Sequence, residues 1–479
     1  MKILFINPPR KNGLPVIRED RCEIVNRYLF NPPYSLLHLA ACVREKGNTA
    51  GIIDANIENL SYQDIRRRLI DFDPSLVIFR FTAETIEDDI ITADVAKAVS
   101  DKIITVGLCL TLRDFSDQIL REFSNLDIYV RGEYGTYEIS VNGIIDAITR
   151  KDDLKNVPGL TYRKGNIITS TGNDFGDISL DYPFPAYDLI PPLSNYYINP
   201  CHKEHSPFTL MYTSMGCPFQ CTYCVMQKTK WRARTVENVI SEIARLKNEH
   251  GLNCIQFKDE TFTMDRERTI DICNELIRRK IKIRWYASTR VDKVDNELLK
   301  IMREAGCRSL SFGVESGSQK VLDTVQKGIM VEQALDAIKM TKEAGIWVHL
   351  GFVVGLPGET KETFKETIAF VKKALPAMAQ FNTAIPYPGT KLFDDAVQKG
   401  ILDKNINYKQ LRYDKSILRT ETLSCSDIDR LRKKAYRSLY FNPKWILSQF
   451  RNFEEVGFTL RYYSKCIYMF LVQKMKHSH

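Results

Sequence analysis

Two separate runs of short apolar stretches alternating with amphipathic helical patterns constrain this 479-residue chain more than any other feature. In the first run, strands are expected at Ile3–Ile6, Ala50–Ile53, Leu76–Phe79, Ile103–Val106 and Ile128–Val130. Between them lie the helical periodicities of Pro33–Lys46, Tyr62–Ile70 and Asp88–Val99. Leu36, Leu37, Ala40 and Val43 share one face of the first of these, and Gly47 stops it. Apolar strands separated by helices form a parallel sheet covered on both faces. Such a sheet binds ligands at the carboxyl ends of its strands. Those ends carry Asn7-Pro8-Pro9, Asp54-Ala55-Asn56, Arg80-Phe81-Thr82, Gly107-Leu108 and Arg131-Gly132-Glu133. No Gly-x-Gly-x-x-Gly follows the first strand, which argues against a nicotinamide or flavin dinucleotide.

The second run places strands at Thr209–Thr213, Cys254–Lys258, Lys282–Ala287, Ser309–Val314, Trp347–Val354 and Gln380–Ala384. Helices are expected over Val236–Asn248, Arg266–Arg279, Glu297–Ala305, Val331–Glu343 and Thr360–Ala374. Six such units suit a partial (β/α)6 barrel of TIM type, with chemistry at its carboxyl-terminal rim. The fold expected is therefore α/β. Residues 1–150 form a Rossmann-like doubly wound parallel sheet, and residues 206–400 form the barrel. Between them, 151–205 reads as a linker broken by Pro183, Pro185, Pro191, Pro192 and Pro200, with Tyr182, Phe184, Tyr187, Tyr196 and Tyr197 to pack it. Residues 401–479 read as a mostly helical, basic, aromatic region.

Three cysteines stand together in Cys217-Pro218-Phe219-Gln220-Cys221-Thr222-Tyr223-Cys224. Thiolates spaced three residues and then two on one loop can grip three irons of a [4Fe–4S] cube, leaving the fourth open to a small molecule. Gly216 and Pro218 keep the loop tight, and Phe219 and Tyr223 can shield the cube from water. A zinc site is the alternative, with His202 and His205 upstream as donors. The other nine of the twelve cysteines are scattered and read as small buried hydrophobes.

These residues resemble the radical S-adenosylmethionine (SAM) family, whose signature is a Cys-x3-Cys-x2-Cys loop with an aromatic residue before the last cysteine. The first domain resembles the cobalamin-binding domain of one large branch of that family. It does so through Asn7-Pro8-Pro9, the helix carrying Pro33-Tyr34-Ser35-Leu36-Leu37-His38-Leu39-Ala40, Asp54-Ala55 and Val130-Arg131-Gly132-Glu133. The resemblance implies a [4Fe–4S] cluster on Cys217, Cys221 and Cys224. It implies SAM contacts from Phe219, Tyr223, Asp259, Glu260, Ser288, Arg290, Glu315, Gly351 and Gly355. It implies cobalamin contacts from Asn7, Pro8, Pro9, Ser35, Asp54, Thr82, Gly107, Gly132 and Glu133. Two departures stand out. The Asp-x-His-x-x-Gly motif is absent, so cobalt would lack a histidine ligand from this domain. The loop after the fourth strand reads Val106-Gly107-Leu108-Cys109-Leu110-Thr111, where the branch often has Gly-Gly-Pro-His.

The activity implied is cleavage of SAM to a 5′-deoxyadenosyl radical and cobalamin-dependent methyl transfer to an unactivated carbon. One alternative is ring formation, carbon coupling or rearrangement of a lipid, tetrapyrrole or natural product without methylation. A non-catalytic corrinoid or iron–sulfur sensor is another. The partners implied are a small-molecule or lipid substrate and a reductant such as flavodoxin or ferredoxin. The amino-terminal apolar run is too short for a signal peptide, and no window approaches the ~20 apolar residues of a membrane span, so a cytoplasmic protein is expected. From Arg430 to His479, eleven basic residues face only Glu454 and Glu455, which accounts for the whole net charge of +9. That tail either caps the barrel or lies on an anionic membrane surface. No nucleic-acid-binding module accompanies the charge.

Overall fold

The computed structural model of the chain describes residues 1–19, 30–132, 134–196 and 206–449, with the backbone of Glu23–Ile24. Its first sheet contains β1 (Lys2–Asn7), β2 (Thr49–Asp54), β3 (Leu76–Arg80), β4 (Ile104–Leu108), β5 (Ile128–Val130), β6 (Leu160–Lys164) and β7 (Ile167–Ser170), in the order β2-β1-β3-β4-β5-β6-β7. The first five strands are parallel. Alternation along β1 explains the two faces. Ile3 and Phe5 join a core with the helices Tyr34–Glu45 and Tyr137–Arg150, whereas Leu4 and Ile6 join one with Tyr62–Phe72 and Ile91–Val99. The strand order reverses between β1 and β3, the crevice where sheets of this kind take ligands.

The sheet does not end at residue 150. β6 and β7 add two antiparallel strands from the stretch expected to be linker. Their turn is Gly165-Asn166, with Gly165 at φ +60°, a hairpin signal that was present in the sequence. The tyrosines beyond it tie the units together. The Tyr182 hydroxyl donates to the Gly135 carbonyl at 2.9 Å, Tyr187 bonds Thr209 at 2.8 Å, and Tyr196 donates to the Asp54 carboxylate at 2.8 Å.

The second sheet runs β8 (Phe208–Met211), β9 (Cys254–Phe257), β10 (Arg284–Thr289), β11 (Cys307–Glu315), β12 (Trp347–Val354) and β13 (Met378–Thr383), in sequential order and all parallel. Side chains facing the helices, such as Leu310, Phe312, Val348 and Leu350, are buried in one continuous core. Their alternates Ser311, Gly313, His349 and Gly351 are only half-buried and face an open lumen. The free edge of β13 is covered by the helix Cys425–Tyr440. The Tyr436 hydroxyl accepts from Phe381 N–H at 3.1 Å, and the Tyr440 hydroxyl accepts from Ala379 N–H at 3.4 Å. Paired in this way, the edge no longer presents bare backbone.

The carboxyl-terminal rims of both sheets face each other. Arg113, after β4, donates to the Val225 carbonyl of the cysteine loop at 3.4 Å. Tyr387 and Phe393, beyond β13, pack in the same core as Phe81 and Leu112. Lys409 bridges Glu87 at 2.8 Å and Glu122 at 2.6 Å. No helix among the described residues is long and apolar enough to cross a membrane. The aromatic stretch Leu460–Met475 lies outside the described residues.

Candidate functional site

The cysteine loop leaves the short strand Ser214–Met215 and returns through Arg232–Ala233, which pairs with it antiparallel. Gly216 starts the bend at φ +88°, and a Cβ there would meet the Lys230 carbonyl oxygen at 2.2 Å, so only glycine passes. Cys217 N–H donates to Thr229 Oγ1 at 2.8 Å, Cys224 N–H to the Cys221 carbonyl at 3.0 Å, and Lys228 N–H to the Phe219 carbonyl at 2.9 Å. Thr222 N–H reaches the Val325 carbonyl at 3.1 Å and so ties the loop to the segment after β11. Cys221 is buried, Cys217 and Cys224 are half-buried, and none of the three is in a disulfide. Burial pushes the Cys217 thiol up, with Cys221 and Glu260 adding to the effect while the Phe219 backbone and Arg290 oppose it. Three free thiols on one braced bend fit the three-cornered grip of a [4Fe–4S] cube. His202 and His205, the donors of the zinc alternative, lie outside the described residues.

The loop's foundation is Asp259. Its carboxylate accepts from Thr213 N–H at 2.8 Å and from the Thr213 and Ser214 hydroxyls at 2.6 Å each. Asp259, expected to accept from SAM, takes these donors from the protein and braces the loop from below; a buried carboxylate needs such donors to stay satisfied. Arg234 braces the return strand. It is buried against Glu242 at 2.6 Å, and Tyr34 of the first domain donates to the same carboxylate at 3.5 Å.

Around the lumen the expected SAM residues separate into two groups. Glu260 and Ser288 stay half-buried at the ends of β9 and β10. Gly351 leaves open space, the nearest atom to a Cβ there being 3.8 Å away, so a flat group can lie against its backbone. Glu315 stands at a register shift of β11 with φ +71°, an uncommon conformation for a side chain of this size. Its carboxylate is held by Lys327 at 3.0 Å, and burial first, then the negative charge of Glu315, raises the Tyr223 hydroxyl pKa. A Cβ on Gly313 would lie 2.5 Å from Glu315 Oε1, so that glycine makes room for the carboxylate.

Two other residues expected at SAM have partners within the protein. Arg290 is bound to Asp292 at 2.8 and 3.0 Å and donates to the Lys327 carbonyl at 3.0 Å, while its guanidinium lies 3.6 Å from the Phe219 ring centroid. In this arrangement it holds Phe219 over the loop. Gly355 approaches Ile428 of the carboxyl-terminal helix, which would lie 2.8 Å from a Cβ there. Lys327 was missed because its partner Glu315 is reached only through the turns at Gln326 and Gly328, both with positive φ, and no local spacing signals that.

At the first sheet's rim, the residues expected to touch cobalamin are mostly paired within the protein. Asn7 donates to Asp54 at 2.8 Å; burial raises the Asp54 carboxyl to about 6, against the pull of Tyr196 and Asn7. Ser35 accepts from Arg80 at 2.8 Å, and Thr82 bonds Thr85 at 2.7 Å. Cβ atoms on Gly107 and Gly132 would meet Phe81 at 2.6 Å and Thr136 at 2.5 Å, so these glycines serve internal packing. Arg18, unremarked in the sequence, fills the crevice. It pairs with Asp89 at 2.7 Å and donates to the Pro8 and Pro9 carbonyls at 2.9 and 2.7 Å. Glu133 lies outside the described residues. His38 is bound to Glu138 at 2.7 Å beneath the rim. A corrinoid fits this rim by placement, opposite the cysteine loop, with Pro9, Leu110, Thr111 and Arg131 as its half-exposed surface and Pro8 buried behind them.

Comparison with known proteins gives the same picture. A family model described as the radical SAM superfamily matches residues 211–371. An uncharacterized methyltransferase of Pyrococcus horikoshii is 32% identical over 465 residues, covering 96% of each chain. An anaerobic magnesium-protoporphyrin IX monomethyl ester cyclase of Cereibacter sphaeroides is 28% identical over 98% of this chain and 75% of its own. The fold matches that of the radical SAM methyltransferase TsrM from Kitasatospora setae, solved with cobalamin and a [4Fe–4S] cluster, at a TM-score of 0.67 and 16% identity over 83% of this chain and 75% of that one. It also matches the cobalamin-dependent SAM radical enzyme OxsB at a TM-score of 0.69 and 17% identity, over 88% and 64% of the two chains. With the barrel matched by the family model and a relative this similar along almost its whole length, the chain belongs to the radical SAM superfamily.

Proposed function

We propose that this protein is a cobalamin-dependent radical SAM methyltransferase. The observation that carries the reading is the braced three-thiol loop at the barrel rim, set face to face with the carboxyl edge of the first sheet. Cys217, Cys221 and Cys224 hold the cluster, and Glu260, Ser288, Glu315 and Gly351 receive SAM. Pro8, Pro9, Leu110, Thr111 and Arg131 support the corrinoid. When bound, these groups supply a 5′-deoxyadenosyl radical and a transferable methyl group. The chain's own work is positional. Asp259 and Arg234 fix both ends of the loop, Arg290 holds Phe219 across it to exclude water, and Lys327 with Tyr223 orients Glu315. A small-molecule substrate and a low-potential donor of the flavodoxin or ferredoxin type complete the system, in the cytoplasm.

Similarity to the magnesium-protoporphyrin ester cyclases over nearly the whole chain supports a second reading, ring formation without methylation. One experiment separates the two. Protein reconstituted anaerobically with iron, sulfide and cobalamin is given reductant, cell extract and methyl-labelled SAM. Label entering a product supports methyl transfer. Deoxyadenosine accumulating with no label in any product supports the second reading. Failure to cleave SAM under strong reductant refutes both.

A further inference from the structure

The two facing rims treat their polar side chains in opposite ways. On the first sheet nearly every polar group is consumed by the protein, as with Asn7, Asp54, Ser35 and Thr82. On the barrel wall built by β11, β12 and β13 the reverse holds. Ser311 and His349 stand side by side in register, Gln380 pairs in register with Gly351, and Asn382 with Val353. Their sequence neighbours Leu310, Phe312, Val348, Leu350, Ala379 and Phe381 are buried among the helices, so the four polar side chains face the lumen. None of the four makes a hydrogen bond or ion pair to any described residue; Ser311, His349 and Asn382 are half-buried and Gln380 is exposed. Burial depresses the His349 imidazole to about 4, with no charged partner contributing. It is neutral at physiological pH and offers one donor and one acceptor.

For Ser311, His349 and Asn382, half-buried polar groups without a protein partner, something else supplies the bonds. Ser311 and His349 lie two residues, about 7 Å, below Gly313 and Gly351, toward the amino-terminal ends of the strands, whereas Gln380 is level with Gly351 and Asn382 lies two residues above it. The four therefore climb the wall past Gly351, from below the place proposed for SAM to the carboxyl-terminal side of it, on strands other than those that carry Ser288 and Glu260. All four groups are uncharged, and between them they provide a hydroxyl, an imidazole and two amides. A hydrocarbon skeleton placed there would strip them of water and return no bonds.

We propose that Ser311, His349, Gln380 and Asn382 form the substrate-recognition wall of the site and select an uncharged, hydroxyl- or amide-bearing small molecule rather than a lipid or tetrapyrrole. The inference rests on the radical SAM reading above. The test uses full-length reconstituted protein and measures 5′-deoxyadenosine formed on adding the aqueous or the chloroform fraction of an extract of the source cells. The aqueous fraction raises it. His349→Leu and Gln380→Leu each need about tenfold more of that fraction for half the maximal response, with a smaller change in the maximum, the size expected for one lost hydrogen bond in the complex. His349→Gln, which keeps a donor and an acceptor, recovers most of the loss. Iron bound per chain confirms that each variant is folded; Gln380, whose side chain is exposed, is the less disruptive site. A response confined to the chloroform fraction, no response to the aqueous fraction, or unchanged concentration dependence in both leucine variants overturns the proposal. Absence of deoxyadenosine in every arm, with or without extract, refutes the radical SAM reading and the inference with it.

Discussion

Gly216→Ala tests how the cysteine loop is held. The added Cβ would stand 2.2 Å from the Lys230 carbonyl oxygen, 2.8 Å from its carbon and 3.2 Å from Trp231 Cα. All three atoms are backbone, so no side chain can swing away. The residue must also keep φ +88°, which costs a non-glycine residue about 1–2 kcal/mol. Relieving the clash separates Ser214–Met215 from Arg232–Ala233 and loosens the bond from Cys217 N–H to Thr229, about 1 kcal/mol for each bond lost. The sum is about 3–5 kcal/mol, concentrated in the loop and small beside the barrel core that surrounds it. The variant should therefore keep its far-ultraviolet circular dichroism and its fold while retaining under a tenth of the cluster after anaerobic reconstitution. Gly251→Ala is the control. Its φ is +62°, but nothing lies within 4 Å of the new Cβ, so it should cost about 1 kcal/mol and leave the cluster intact. A Gly216→Ala protein carrying a full complement of iron and sulfide would refute this account of the loop.

Other consequences are as direct. Burial raises the Glu359 carboxyl to about 7, against the Gly355 N–H it accepts at 2.5 Å. The fold thus favours the protonated form; the stability this gives is complete below the ordinary glutamate range and is lost as pH rises through about 7. Glu359→Gln should remove that dependence, about 3 kcal/mol between pH 4 and 8, seen as a flatter plot of Tm against pH. Replacing Tyr436 and Tyr440 together by Phe strips the partners from the N–H groups of Phe381 and Ala379; amide exchange in Met378–Thr383 should accelerate by about tenfold or more. Arg290→Lys loses the two-pronged bond to Asp292 and the contact over Phe219, so the cluster should bleach several-fold faster in air, as followed by its visible absorbance.

Periodicity made the two layered units legible, because parallel strands buried on both faces read as apolar runs and their helices keep a single apolar stripe. Strand β12 (Trp347–Val354) and the helix Val331–Glu343 have the same boundaries in sequence and structure. The hairpin β6–β7 escaped because its surroundings are rich in proline and charge, although Gly165-Asn166 announced the turn. At the site, the cysteine spacing and the tight bend at Gly216 were visible because they are local. The division of labour between Asp259 and Glu260 was not. Two adjacent carboxylates look alike in sequence, and only the fold shows that the hydroxyls of Thr213 and Ser214 converge on the first. The same holds for Arg290, whose partner two residues away competes with any ligand, and for Arg18, whose carboxylate lies 71 residues distant. His349 looked like an ordinary strand residue until register placed it beside Ser311.

Mössbauer spectra of protein reconstituted with isotopically enriched iron, recorded before and after adding SAM, bear most directly on the central claim. The account predicts a cuboidal cluster with roughly four irons per chain, one of which changes its environment when SAM is added, and loss of that signal when Cys217, Cys221 or Cys224 is replaced by alanine. A spectrum without a cuboidal cluster, or one that SAM leaves unchanged at all of its irons, would contradict it.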